Sequence, residues 1–278
     1  IRPVFPPRPI GILLGLEGSQ NPFSGCVSYK EIAHLPAADR AAAMAEPGRR
    51  ARILSEDRIA GSNFPLISRL VFERMFPFGD PPDYAPPASA SIAAMAAREG
   101  RRAEEVAYDL LIADAGRGFI FAPLTNFADY TLSASAECLR HPNAIAGLSD
   151  GGAHVGFISD GSFPTFLLSY WARDAKEAVF PVQEMIRRLT SDTARAAGLH
   201  DRGVLRAGMK ADLNVIDFAA LKLNAPRMVR DLPAGGRRLL QKPDGYIATI
   251  MNGEVTYRDG VATGALPGRL LRSAGRAA

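Results

Sequence analysis

The texture of this chain changes at Gly198, and that change limits what it can fold into. Before it, apolar runs of strand length alternate with segments of helical period. After it, Gly203, Gly208, Gly235, Gly236, Gly245, Gly253, Gly260, Gly264 and Gly268 punctuate short β-type runs. The first pattern belongs to an α/β unit and the second to a small all-β one. At 278 residues and 47% hydrophobic content, the chain has enough apolar matter for a sizeable core.

Within the first part, Ile1 to Pro9 holds four prolines and reads as extended. Ile10 to Leu16 reads as a buried strand, with the Glu17 carboxylate just past its end. Ala37 to Asp57 has helical spacing broken at Pro47. Pro65 to Phe72 reads as a further strand, leading into a proline-rich loop from Pro77 to Pro87. Ala103 to Ala113 is an amphipathic helix, with Glu104 and Glu105 at the amino-terminal end of its dipole. Thr131 to Leu139 reads as a helix stopped by His141-Pro142. Phe163 to Trp171 reads as core packing, and Val182 to Ala197 as a helix ending at Gly198. In the second part, Asp212 to Phe218 and Tyr246 to Met251 read as strands. Asn252-Gly253 is a hairpin signal that pairs the latter with Glu254 to Arg258.

One stretch carries chemistry. Ala144-Ile145-Ala146 reads as a buried strand that runs into Gly147-Leu148-Ser149-Asp150-Gly151-Gly152-Ala153-His154. A carboxylate at the carboxyl end of a strand, followed by a glycine turn, sits where α/β barrels place their reactive groups. Gly151 and Gly152 let the backbone approach a ligand closely. An Asp-Gly pair is equally a plain turn, and both readings stand at this point. His154 lies four residues after Asp150 on the same turn; His34, His141 and His200 read as structural or exposed.

Other classes are disfavoured. The formal charge is +4, and the 33 basic residues are scattered rather than striped, against a nucleic-acid partner. Arg269, Arg272 and Arg276 read as a solvated basic tail. Cys26 and Cys138 are too few for a disulfide framework and fit a reducing, cytoplasmic setting. No apolar run approaches the ~18 residues of a membrane span. A zinc centre needs about three protein ligands, yet there is no His-x-His, His-Glu-x-x-His or Cys-x-x-Cys. A Gly-x-Ser-x-Gly elbow and a P-loop are also lacking.

Gly147 to Gly156 (GLSDGGAHVG) and Asp160 to Thr165 resemble the eighth-strand region of the N-acyl-D-amino-acid deacylase (D-aminoacylase) family, metal-dependent amidohydrolases. Ser28 to Pro36, Asp201 to Asp217, Asp231 to Gln241 and Gly245 to Gly268 extend the resemblance over nearly the whole chain. It implies an α/β fold, the carboxyl-terminal portion of a TIM-type (β/α) barrel over residues 1–200. Residues 201–278 would be part of a small β-sandwich and the basic tail. It also implies that earlier strands and most metal ligands lie in an amino-terminal part absent from this sequence, so that this chain alone is expected to be inactive.

The implied activity is hydrolysis of an N-acyl amide on a small N-acyl amino acid, with Zn2+ as the metal. Asp150 would be both metal ligand and general base, taking the water's proton and passing it to the leaving amine. Gly151 and Gly152 would make room for substrate, and His154 would orient the carbonyl or the aspartate. The chain departs from the family in having no arginine from Val155 to Ser162, where substrate carboxylate recognition is expected. A non-catalytic half-protein that pairs with another chain, and a cyclic-amide hydrolase relative, are the alternatives.

Overall fold

The computed structural model describes residues 2–147, 152–176 and 179–271. Strands β1 (Val4–Phe5) and β2 (Ile10–Gly15) lead into helices α1 (Val27–Lys30), α2 (Ala37–Ala45) and α3 (Pro47–Ser55). Strand β3 (Phe76–Phe78), helices α4 (Ile92–Glu99) and α5 (Ala103–Gly116), and strand β4 (Phe119–Thr125) come next. Helix α6 (Ser133–Arg140) and strand β5 (Ile145–Ala146) precede α7 (Phe163–Phe166), which continues as a π-helical segment, Leu167–Asp174. Helices α8 (Val182–Leu189) and α9 (Ser191–Ala196) close the first part.

Several of these elements arise from local chemistry. Pro47 starts α3, where its missing N–H costs nothing. The Glu105 carboxylate accepts from the Arg102 main-chain N–H at 3.1 Å and so holds the start of α5. Two expectations fail locally. Pro65 to Phe72 is not a strand but two 3-10 turns, Ile67–Arg69 and Phe72–Arg74. Phe64, Ile67 and Leu70 are buried, a period of three rather than two. The helix expected from Val182 to Ala197 breaks at Thr190, whose hydroxyl donates back to the Ile186 carbonyl at 2.7 Å.

The central sheet has the order β2-β4-β3. Leu13 pairs with Phe121 and Ile12 with Ala122, while Phe76 pairs with Phe121 from the other side. Side chains alternate across it. Ile12, Leu14, Leu16, Ile120 and Ala122 enter a cluster with Met44, Ile53, Ile92 and Tyr108 under the early helices. Leu13, Phe119, Phe121, Phe76 and Phe78 enter a second cluster with Phe166, Leu167 and Trp171. A strand buried on both faces reads as a continuous apolar run, which is why β2 was legible.

Strand direction was not legible. Both pairings in this sheet are antiparallel, whereas the wall of a barrel is parallel. The parallel pair is β1 with β5, Val4 opposite Ile145. Among the described strands no sheet closes on itself.

The second part is built from β6 (Leu213–Ile216), β7 (Lys222–Leu223), β8 (Arg227–Leu232), β9 (Gly236–Leu240), β10 (Pro243–Asp244), β11 (Tyr246–Met251), β12 (Glu254–Arg258) and β13 (Val261–Ala262). A four-stranded antiparallel sheet has the order β13-β12-β11-β6; β8 pairs with β9 and β7 with β10. Asn252 and Gly253 take φ of 50° and 83°, as the expected hairpin turn requires. Leu221, Leu223 and Leu239 join the core cluster of Phe166 and Trp171, so both parts share apolar packing.

Candidate functional site

The strand leading to Asp150 is present. β5 is buried, and it is fixed by Ile145 N–H donating to Pro3 O and Gly147 N–H donating to Phe5 O, both at 2.9 Å. Leu148, Ser149, Asp150 and Gly151 lie outside the described residues, so the proposed base and the first of the two proposed substrate-side glycines are not described. Gly152 and His154 are described, and both are exposed.

The backbone a few residues beyond Asp150 is firmly held. The Leu13 N–H donates to Phe157 O at 2.8 Å, and the Ser19 N–H to Gly156 O at 3.0 Å. From the other side the Leu239 N–H donates to Val155 O at 2.7 Å. The segment from Val155 to Phe157 thus lies between β2 and β9. A Cβ at Gly156 would stand 2.0 Å from Ser19 Oγ and 3.2 Å from Ser19 Cβ, so a larger residue would force Ser19 to shift. His154 sits at the head of the segment with φ of 54°, its ring 5.3 Å from that of Phe157. A left-handed backbone at a non-glycine residue is strained.

Beside this segment, two clefts open past the end of β2. One, of about 280 Å³, is lined by Gly18, Ser19, Asn21, Tyr29, Lys30, Arg40 and Arg237, among others. The other, of about 510 Å³, is lined by Glu17, His34, Arg40, Met228, Arg230 and Arg237, among others. Arg237 Nη2 donates to Gly18 O at 3.4 Å, linking β9 to the loop after β2. Glu17, expected as a second strand-end carboxylate, does line a cleft. Arg40 and Arg237 were missed by sequence reasoning. Arg40 sits in an ordinary helix pattern, and Arg237 carried a signal only by lying in the Asp231 to Gln241 stretch.

A buried polar cluster supports the same region. Arg8 Nη2 donates to Ser159 O at 2.7 Å and Ser162 Oγ at 3.1 Å, and lies 3.6 Å from Asp160 Oδ1. Its guanidinium lies 3.6 Å over the Tyr84 ring. Burial holds the Arg8 pKa below its ordinary value, against the pull of Tyr84 and Asp160. Burial likewise raises the Tyr84 phenol, whose hydroxyl is 2.9 Å from Gln241 Oε1. Trp171 Nε1 donates to Pro7 O at 2.7 Å and locks the Arg8 segment onto the π-helical segment.

Among the described residues, no group of three or more His, Cys, Asp or Glu side chains could hold a metal ion. His34, His141, His154 and His200 are all exposed. The described residues alone therefore do not make a zinc centre. Cys26 is buried and its thiol is pushed up to about 11, chiefly by desolvation, so it is no nucleophile. No described helix is long and apolar enough to cross a membrane.

The described residues form an α/β core flanked by polar clefts. A family model for the amidohydrolase family matches residues 8–257, and the chain belongs to that family. No curated protein matches it. Among solved structures it is similar to a crystal structure of D-aminoacylase described as defining a novel subset of amidohydrolases. Identity is 20% over 71% of this chain and 37% of that one, with a TM-score of 0.40. A D-aminoacylase mutant in complex with 100 mM CuCl2 matches at 20% identity over 69% and 36%, TM-score 0.35. The chain thus spans little more than a third of the length of these structures.

Proposed function

We propose that this chain carries the general-base turn of a metal-dependent hydrolase that cleaves an amide C–N bond in a small N-acyl amino acid. The observation that carries the reading is the anchoring of Val155 to Phe157 between β2 and β9, against Ser19, which lines a polar cleft. A turn held on both flanks can present its carboxylate at one fixed position, which general-base catalysis needs. Membership of the amidohydrolase family supports the reaction class.

In this reading Asp150 takes the proton of the attacking water and returns it to the departing amine. Gly151 and Gly152 leave space for the acyl group, and His154 positions the carbonyl. Zinc belongs to the reading through Asp150, although the described residues assemble no centre for it. Residues 1–200 are read as the last part of a (β/α) barrel, supported by the parallel β1–β5 pair. Residues 201–278 are read as a share of a β-sandwich, supported by the small antiparallel sheets there. A cytoplasmic setting is supported by the two free cysteines.

The test is release of free amine from N-acetyl-D- and N-acetyl-L-amino acids in the presence of zinc, by the full-length protein that contains this chain and by its Asp150→Asn variant. The expected outcome is turnover by the full-length protein, lowered by several orders of magnitude in the variant, and none by this chain alone. Near-normal turnover in Asp150→Asn overturns the assignment. No turnover by the full-length protein favours a non-catalytic subunit instead.

A further inference from the structure

The smaller cleft past β2 has a one-sided chemistry. Lys30, Arg40 and Arg237 line it, together with Tyr29, Asn21, Ser19 and other neutral residues, and no Asp or Glu does. None of the three cations forms an ion pair among the described residues, although other arginines, such as Arg49 and Arg238, do. The Glu17 carboxylate lies on the neighbouring cleft, where His34 and Arg230 stand and which Arg40 and Arg237 also line.

The donors of this cleft are underused. Arg40 Nε is buried with no hydrogen-bond partner. The buried Tyr29 hydroxyl accepts twice, from Asn21 Nδ2 at 2.7 Å and from Arg40 Nη1 at 2.9 Å. With both lone pairs occupied, its own proton is left to donate, and no described residue receives it. Lys30 spends one proton on Gly61 O at 2.6 Å, and Arg237 makes one long bond to Gly18 O. Buried donors without acceptors carry a desolvation cost that an acceptor-only ligand would remove.

We propose that this cleft binds the free carboxylate of the substrate, through Arg237 and Arg40 with the Tyr29 hydroxyl. The inference rests on the amide-hydrolase reading for its choice of a carboxylate. A carboxylate offers only acceptors, and a guanidinium matches it with paired N–H donors. The position is suitable: Arg237 touches Gly18, the next residue Ser19 bonds to Gly156, and Gly156 lies six residues past Asp150.

The test is equilibrium binding, which needs no turnover. N-acetylglycine, its methyl ester and inorganic phosphate are titrated by calorimetry into the parent protein, Arg237→Met and Arg40→Met. Tighter binding of N-acetylglycine than of ester or phosphate is expected, weakened roughly tenfold or more in each variant, the scale of one lost charge-assisted bond. Circular dichroism confirms that the variants are folded, and Arg237→Lys, which keeps the charge but loses the fork, should recover part of the affinity. Undiminished binding in both methionine variants, binding of ester equal to acid, phosphate binding as tight, or no binding of N-acetylglycine overturns the proposal. Failure of the amide-hydrolase reading shows separately, as absence of turnover by a protein that still binds the acid through Arg237.

Discussion

The main-chain N–H of Ser19 donates to the carbonyl of Gly156 at 3.0 Å, and the two residues are packed so closely that a single added methyl has no room. This contact ties the loop past β2 to the segment just beyond Asp150. It joins two stretches that lie more than a hundred residues apart in sequence.

Gly156→Ala tests that contact. The new Cβ would meet Ser19 Oγ at 2.0 Å and Ser19 Cβ at 3.2 Å. The hydroxyl can rotate but the methylene cannot, so a cost of ~1 kcal/mol is expected from overpacking. Urea unfolding should show it, and adding Ser19→Gly should recover most of it. Equal stabilities for parent and Gly156→Ala would show that the contact is loose.

His154 separates a structural role from a chemical one. Its φ of 54° costs a non-glycine residue roughly 1 kcal/mol, which glycine avoids. His154→Gly is therefore expected to keep or slightly raise the melting temperature while lowering turnover through loss of the imidazole. A variant that is stable and fully active would remove His154 from the site.

Arg8 and Asp160 form a buried pair, with side chains 2% and 10% exposed. Removing the guanidinium breaks this pair, drops the bonds to Ser159 O and Ser162 Oγ, and takes the cation from the face of the Tyr84 ring. Arg8→Ala should cost about 3 kcal/mol or more in denaturant unfolding, as for other broken buried pairs. A loss below about 1 kcal/mol would mean that the pair behaves like an exposed one.

The cysteines give a pH prediction. Burial raises the Cys26 thiol in the folded chain to about 11, above the ~8.5 of an unfolded cysteine. A thiol kept protonated only by the fold contributes stability that is complete below the unfolded value and lost as pH rises toward the folded one. Stability should therefore fall between about pH 8.5 and 11, and the fall should be smaller in Cys26→Ala. At about pH 8, iodoacetamide should label the half-buried Cys138 well before Cys26, with peptide mass spectrometry as the readout. Equal labelling rates in the native protein would contradict the burial of Cys26.

The sequence by itself determined what depends on local pattern. Helices α2 and α3 split at Pro47, the Asn252-Gly253 hairpin and the strand before Asp150 were readable because backbone preference and burial leave marks at fixed spacing. The family was readable as well, from Gly147 to Gly156 and the stretches that agree with it. Tertiary structure decided what depends on distant partners. A continuous apolar run such as β2 records burial on both faces but not strand direction, so the antiparallel central sheet left no trace in it. Basic residues that look scattered along the chain meet at one place, because Lys30 and Arg40 come from the region after β2 and Arg237 from β9. Charge convergence is a property of the folded surface, and no window of neighbouring residues contains it.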